Sequence, residues 1–329
     1  MREPAFWWQP GGAAAALLAP LAAAYGAVAR ARLALSGRAV GIPVVCVGNL
    51  TVGGAGKTPT ALAIGRLLIA AGRRPYFLTR GYGGRLAGPI LVESKHRAAD
   101  VGDEPLLLAR VAPTVVSHDR VAGAEAARAA GADVIVMDDG FQNPSLAKNF
   151  SLLVVDGRRG VGNGRVLPAG PLRAPLQSQL ARAHALLVVG AAAAAEPVVA
   201  AAPGLPVFHG RLLADPQALD RIRDHKVFAF AGIADPEKFF ATLEDARIDV
   251  QLRYAFPDHH PYRGADIFAL MARAEREGLV LVTTEKDFVR LSGEPDARPL
   301  LDVLRVLPVT LAVDEAEEFQ KMILGAVGG

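Results

Sequence analysis

The stretch Thr51-Val52-Gly53-Gly54-Ala55-Gly56-Lys57-Thr58 restricts this chain more than any other part of it. Three glycines within four residues disfavour both helix and strand, so the segment is a turn. The apolar run Ile42 to Val47 before it reads as a buried strand, and Pro59 to Ala71 after it reads as a helix closed by Gly72. A strand, a glycine turn and a helix in that order make a phosphate-cradling loop. Backbone N–H groups turn inward, and the helix aims its positive end at an anion. The general pattern is Gly, four residues, then Gly-Lys-Ser/Thr. Gly56, Lys57 and Thr58 satisfy it, whereas Thr51 stands where the first Gly is expected. The expectation is a nucleoside triphosphate site in which residues 51–58 wrap the phosphates. Lys57 contacts the β/γ-phosphates and Thr58 holds Mg²⁺ through its hydroxyl.

Such a loop needs a carboxylate to orient its metal. Val134-Ile135-Val136-Met137-Asp138-Asp139 supplies two at the end of an apolar strand, where ligands bind in open α/β sheets. A kinase also needs a group to activate a hydroxyl. Asp100 and Gly102-Asp103-Glu104-Pro105 precede a helix, where carboxylates cap N-termini by default. In Asp258-His259-His260, neighbouring histidines point in different directions, so at most one belongs to a site, and no third ligand matches them as a metal pair. Three further segments remain open on local grounds: Arg80-Gly81-Tyr82-Gly83-Gly84 at a strand end, Gly170-Pro171-Leu172-Arg173 in a rigid turn that suits an anion clamp, and Thr283-Thr284-Glu285-Lys286-Asp287.

Around these motifs, short apolar runs alternate with helical stretches, the pattern of a parallel α/β sheet. Strands are expected at Pro75 to Thr79, Thr114 to Val116, Asp133 to Met137, Ser151 to Val155 and Ala185 to Val189, with helices at Glu104 to Ala109, Arg120 to Ala130 and Ala191 to Ala202. A second α/β unit follows: strands Val227 to Ala231, Val250 to Tyr254, Leu279 to Thr283 and Leu304 to Ala312, and helices Pro236 to Leu243 and Ala265 to Arg276. The expected division is 1–35 as an N-terminal helix, 36–205 as a P-loop core and 206–329 as a smaller α/β domain closing the cleft.

Hydrophobic residues make up 51% and charged residues 21% of the 329, which fits a well-cored globular protein. A net charge of +3 with scattered arginines gives no basis for a nucleic-acid partner. The single cysteine, Cys46, excludes an intramolecular disulfide framework and a cysteine zinc site, and suits the cytosol. The N-terminus departs from this soluble pattern. Phe6-Trp7-Trp8 precedes an Ala/Leu-rich run, Ala13 to Ala29, followed by Arg30, Arg32 and Arg38. Leu17, Leu21, Tyr25 and Val28 recur at helical spacing as one bulky face. The run is shorter than the ~20 residues that span a bilayer, and Pro20 interrupts it. A secretory leader is the alternative, but only Arg2 precedes Glu3, and an exported nucleotide enzyme would find no ATP. The tryptophans and arginines suit a helix lying in a membrane interface, the other alternative being a first helix packed into the core.

Taken together, the motifs resemble the tetraacyldisaccharide 4'-kinases, the lipid A 4'-kinases. The resemblance rests on Val47-Gly48-Asn49-Leu50-Thr51-Val52-Gly53-Gly54-Ala55-Gly56-Lys57-Thr58-Pro59, Thr79-Arg80-Gly81-Tyr82-Gly83, Gly102-Asp103-Glu104-Pro105, Asp138-Asp139-Gly140-Phe141-Gln142, Gly170-Pro171-Leu172-Arg173, Gly232-Ile233, Phe256-Pro257-Asp258-His259-His260 and Thr283-Thr284-Glu285-Lys286-Asp287. Thr51 in place of glycine is that family's own form. The resemblance implies transfer of the γ-phosphoryl group of MgATP to the 4'-hydroxyl of an acylated glucosamine disaccharide 1-phosphate, giving lipid IVA at the cytosolic face of the bacterial inner membrane. It further implies Asp103 as general base with His259 assisting, Glu104, Asp138 and Asp139 at the metal, Tyr82 and Arg173 at the nucleotide, and an N-terminal helix that docks on the membrane. Asn143 stands where the family usually has His. The rival from another class is a nucleotide switch that binds a partner and phosphorylates no acceptor.

Overall fold

The computed structural model describes residues 3–328; Met1, Arg2 and Gly329, at the ends of the expected terminal domains, lie outside the described residues. Its strands are β1 (Val44–Asn49), β2 (Pro75–Thr79), β3 (Ile90–Leu91), β4 (Thr114–Val116), β5 (Val134–Asp138), β6 (Phe150–Asp156), β7 (Ala185–Val189), β8 (Val207–Ala214), β9 (Lys226–Ala231), β10 (Asp249–Ala255), β11 (Val280–Thr284), β12 (Arg305–Leu307) and β13 (Val309–Val313). Among the described residues they form a nine-stranded sheet, β13-β8-β7-β6-β1-β5-β2-β4-β3, and a four-stranded sheet, β10-β9-β11-β12. In the larger sheet only the edge strands β3 and β13 run antiparallel to their neighbours. Strands β1, β5, β6 and β7 are buried at every position. That is why they read as continuous apolar runs: helices cover both faces of a parallel sheet. β1 lies between β5 and β6, so the glycine loop after β1 and the aspartates after β5 emerge side by side.

The expected division at residue 205 is corrected by the sheets. β8 and β13 both belong to the large sheet, paired with Val309 opposite Ala214, and the helix Ala316–Ala326 buries Phe319 and Ile323 against it. The smaller sheet is therefore an insertion between two neighbouring strands. The chain leaves and returns at one point, where the Asp215 amide donates to the Pro308 carbonyl at 2.9 Å. The single strand expected over Leu304 to Ala312 is two strands in two different sheets. Pro308 has no N–H to donate to a ladder, so the chain switches sheets there. The alanine-rich segment 191–202 is also less regular than expected: a 3₁₀ turn, Ala192–Ala194, and a five-residue helix, Glu196–Ala200, with Pro197 in its first turn.

At the N-terminus a 3₁₀ turn, Ala5–Trp8, leads into two helices, Ala13–Leu17 and Ala19–Ala34, with Pro20 in the first turn of the second. The second helix turns its small residues inward. Ala22 is buried, and a side chain on Gly26 would meet Pro175 at 3.5 Å. Apart from the buried Leu33, bulky residues of the two helices face outward: Leu17, at the end of the first, is 82% exposed, and Leu21 and Val28 on the second are 62% and 61% exposed. This inverts the arrangement of a helix on a water-soluble core. No helix among the described residues is long and apolar enough to cross a membrane.

Candidate active site

The helix Lys57–Ala70 starts at Gly56, whose φ of +91° lies in the left-handed region that glycine enters without a Cβ clash. The Thr58 hydroxyl donates to Asp138 Oδ2 at 3.0 Å, so loop and strand end are joined directly. The other Asp138 oxygen is buried with no hydrogen-bond partner. Asp139 follows at φ +54°, a conformation that costs a non-glycine residue about 1–2 kcal/mol. Its carboxylate accepts two hydrogen bonds from the Arg173 guanidinium, at 2.8 and 3.2 Å, and sits 3.8 Å from Lys57 Nζ. Arg173 also donates to the Thr51 carbonyl at 2.9 Å, and the Val52 amide donates to Pro171, so the Gly-Pro-Leu-Arg turn braces the start of the loop.

The charges here are unevenly held. Burial pushes the Asp138 carboxyl up, and the neighbouring Asp139 adds to the effect. Burial acts on Asp139 in the same direction, but Lys57 and Arg173 outweigh it and hold that carboxyl below its ordinary value. Burial also lowers Lys57, against the pull of Asp139. The result is a compact set of desolvated charges in which one aspartate lacks a cation.

A second cluster lies beside the first. Gly102 adopts φ +93°, and a Cβ there would strike the Tyr82 carbonyl at 2.5 Å; this tight turn starts the short helix Asp103–Leu108. Asp103 is 3% exposed. Its Oδ1 accepts from the Glu104 amide at 3.1 Å and lies 3.3 Å from His259 Nδ1, while Oδ2 takes the Arg290 guanidinium through Nε at 2.9 Å and through Nη2. Glu104 Oε1 accepts from Lys286 at 2.6 Å, and its Oε2 is buried without a partner. His259 sits at φ +56°, another strained position, with the Tyr82 ring 5.1 Å away. His260 turns the other way, stacks on Phe256 and lies 3.2 Å from Asp266, so of the two histidines only His259 faces Asp103.

Burial alone would raise Asp103. Its contacts with Glu104 and His259 and the charges of Lys286 and Arg290 outweigh that, and the carboxyl is held well below the carboxylate range. Burial pushes Glu104 up to about 7 against the opposing charge of Lys286. The bond to Asp103 raises His259. Lys286, bonded to Glu104 at 2.6 Å, also acts weakly on Lys57 and Asp138, so the two clusters lie within electrostatic reach of one another.

A hard divalent cation suits this donor set. Oxygen ligands are what Mg²⁺ takes, and the orphaned oxygens of Asp138 and Glu104 are buried acceptors that lack a positive partner. Potential ligand atoms of Asp103, Glu104 and His259 lie within 4.8 Å of one another. The fold thus brings together Thr51 to Thr58, Arg173, Asp138 and Asp139 on one side and Asp103, Glu104, His259 and Tyr82 on the other. Asn143 is not among them: its side chain accepts from the amide and hydroxyl of Ser145 and closes a local turn. Sequence reading missed Arg290 and left Lys286 unassigned. The available signal was their i, i+4 spacing, which sets both cations on one face of the helix Glu285–Leu291.

Comparison with known proteins adds a family. A sequence model described as tetraacyldisaccharide-1-P 4'-kinase matches residues 14–328. The chain is similar to a tetraacyldisaccharide 4'-kinase of Rhodopseudomonas palustris strain BisA53, at 52% identity over 100% of this chain and 96% of that one. It is also similar to one of Methylobacterium sp. strain 4-46, at 55% identity over 95% and 93% of the two chains. Among solved structures it resembles the "apo" form of LpxK from Aquifex aeolicus in complex with ATP, with TM-score 0.74 and 26% identity over 95% of this chain and 99% of that one.

Proposed function

The chain belongs to the tetraacyldisaccharide-1-P 4'-kinase family, and from that premise we propose that it transfers the γ-phosphoryl group of ATP to the 4'-hydroxyl of an acylated glucosamine disaccharide 1-phosphate. The observation that carries this reading is the juxtaposition of the phosphate loop with the buried Asp103–His259 pair. One side binds a triphosphate, and the other handles the proton of an attacking hydroxyl. Lys57 and the loop amides hold the phosphates, with Arg173 and Tyr82 alongside. Asp103 and His259 orient the acceptor hydroxyl and take its proton as attack begins. Thr58, Asp138, Asp139 and Glu104 are the residues that would hold Mg²⁺, which when bound neutralises charge on the transferring phosphate.

The acceptor carries acyl chains, and the outward bulky face of Leu17, Leu21 and Val28 supports docking of the N-terminal helices in a membrane interface. Because the reaction consumes ATP, the cytosolic face of the bacterial inner membrane is the site we assign. The deciding assay supplies purified protein with γ-labelled ATP, Mg²⁺ and detergent-dispersed tetraacyldisaccharide 1-phosphate. Label in the lipid at the 4' position is expected. Release of inorganic phosphate with no labelled lipid would instead favour a nucleotide switch.

A further inference from the structure

Catalytic assignments in the site account for Asp103 and His259, but not for the group that most directly grips Asp103. Arg290 is 7% exposed and lies on the helix Glu285–Leu291 of the inserted unit, whereas Asp103 belongs to the large unit. Its Nε and Nη2 both donate to Oδ2 of Asp103. Its Nη1 donates to Asp287 Oδ1 at 2.9 Å and to the Gly232 carbonyl at 2.5 Å. Asp287 is fully buried and completely engaged. It accepts from the Tyr262 hydroxyl at 2.8 Å, the Gly232 amide at 3.0 Å and the Thr284 hydroxyl at 2.7 Å. The guanidinium is thus fixed in plane by a rigid acceptor on one edge and presents its other edge to the catalytic carboxylate.

The consequence is an asymmetric carboxylate. Arg290 occupies only Oδ2, so the χ rotation of Asp103 is set and Oδ1 is left to the Glu104 amide and His259. A carboxylate without that grip could rotate and lose its histidine. Taking this function of Asp103 as read above, we propose that Arg290, anchored by Asp287 and Tyr262, is a positioning residue that locks Asp103 in the orientation that serves His259. Because the lock crosses from one unit to the other, the proton-accepting pair is complete only when the inserted unit is docked. Lys286, one turn earlier on the same helix, reaches Glu104 across the same boundary.

The test measures Arg290→Ala, Arg290→Lys and Asp103→Asn in the lipid phosphorylation assay, with kcat and the KM for ATP separated. Misplacing a catalytic group by about an ångström costs on the order of 10²-fold in rate. Arg290→Ala is therefore expected to lose about that factor in kcat with its KM for ATP little changed. Millimolar guanidinium chloride, well below denaturing concentrations, should restore part of the loss, and Arg290→Lys should fall between. Wild-type kcat in either Arg290 variant overturns the proposal. So does a loss shared equally by ATP binding and not rescued by guanidinium, which would mark a general structural role. If Arg290→Ala does not fold, Arg290→Lys decides: reduced kcat at unchanged KM supports the lock, and normal kcat refutes it. Asp103→Asn separates the premises. Normal turnover there removes the role of Asp103 itself, whereas an inactive Asp103→Asn beside normal Arg290 variants removes only the lock.

Discussion

Asp138→Asn should make the protein more stable in the absence of ligand and less able to gain stability from MgATP. Asp138 is 3% exposed, one of its oxygens is engaged by Thr58, the other has no partner, and Asp139 is adjacent. Burial raises its folded pKa above the unfolded value. The folded protein then binds that proton more readily than the unfolded chain, so the contribution is favourable at low pH and lost as pH rises through the folded pKa. An asparagine keeps an oxygen for the Thr58 hydroxyl and carries no charge. Loss of the desolvated charge beside Asp139 should outweigh the cost of the amide NH₂ that replaces the orphaned oxygen, for a gain of about 1–2 kcal/mol near neutral pH. For a chain of 329 residues that gain corresponds to about 1.5–3 °C in melting temperature. With MgATP at a hundred times its Kd the wild type should gain about 2.7 kcal/mol, and the variant much less. Turnover should fall by about 10²–10³-fold, the usual loss when one group stabilising transition-state charge is removed. Differential scanning fluorimetry from about pH 5 to about pH 8, with and without MgATP, reads all of this except the rate. The deficit of the wild type relative to the variant should shrink as pH falls, since every other titrating group, Glu104 included, is common to both proteins. A variant less stable than wild type without ligand, or one that gains normally from MgATP, would refute the idea of a charge held ready for a cation.

Three other outcomes follow from the site and the N-terminal helices. Lys57→Met should lower kcat/KM by about 10²–10³-fold while leaving melting nearly unchanged, because the lysine is already desolvated and gives up no core packing; a large drop in melting temperature would contradict this. Changing Leu17, Leu21 and Val28 together to Ser should weaken binding to anionic phospholipid vesicles by about a hundredfold, from about 3 kcal/mol of lost apolar insertion. Unchanged cosedimentation would rule out docking by this face. Glu104 must lose its proton to ligate, and its pKa is pushed up to about 7, so Mg²⁺ affinity measured by calorimetry should fall as pH drops through that value. An affinity independent of pH would remove Glu104 from the metal site.

The phosphate loop was legible because its chemistry is local: glycines, a lysine and a threonine act through backbone within a few residues of one another. Asp138 and Asp139 were legible for the same reason, as charges at the end of an apolar strand. Asp103 was not. Its local surroundings suit an ordinary helix cap, and only a partner 156 residues away, His259, marks it as different. The resemblance to a known family supplied what spacing could not. Arg290 was invisible for a related reason: its partners come from two units, and a lone arginine after a Thr-Glu-Lys-Asp segment carries no pattern. The misplaced boundary at 205 has another cause. β8 and β13 are strands of ordinary composition, and nothing in their residues says that one sheet claims both across an intervening domain.

That interruption reaches beyond the layout of the sheets. The ATP-binding sheet is not finished by its own continuous segment. Its last strand and its closing helix, Ala316–Ala326, are synthesised only after the whole insert, while domains generally fold in order of emergence from the ribosome. The insert therefore has its full sequence available while the larger unit still lacks an edge strand and the cover over Phe208. A chain shortened at Pro308 would keep every strand of the smaller sheet, yet lose part of the nucleotide-binding body. Damage at the far end of the sequence would be felt in the unit that begins the chain.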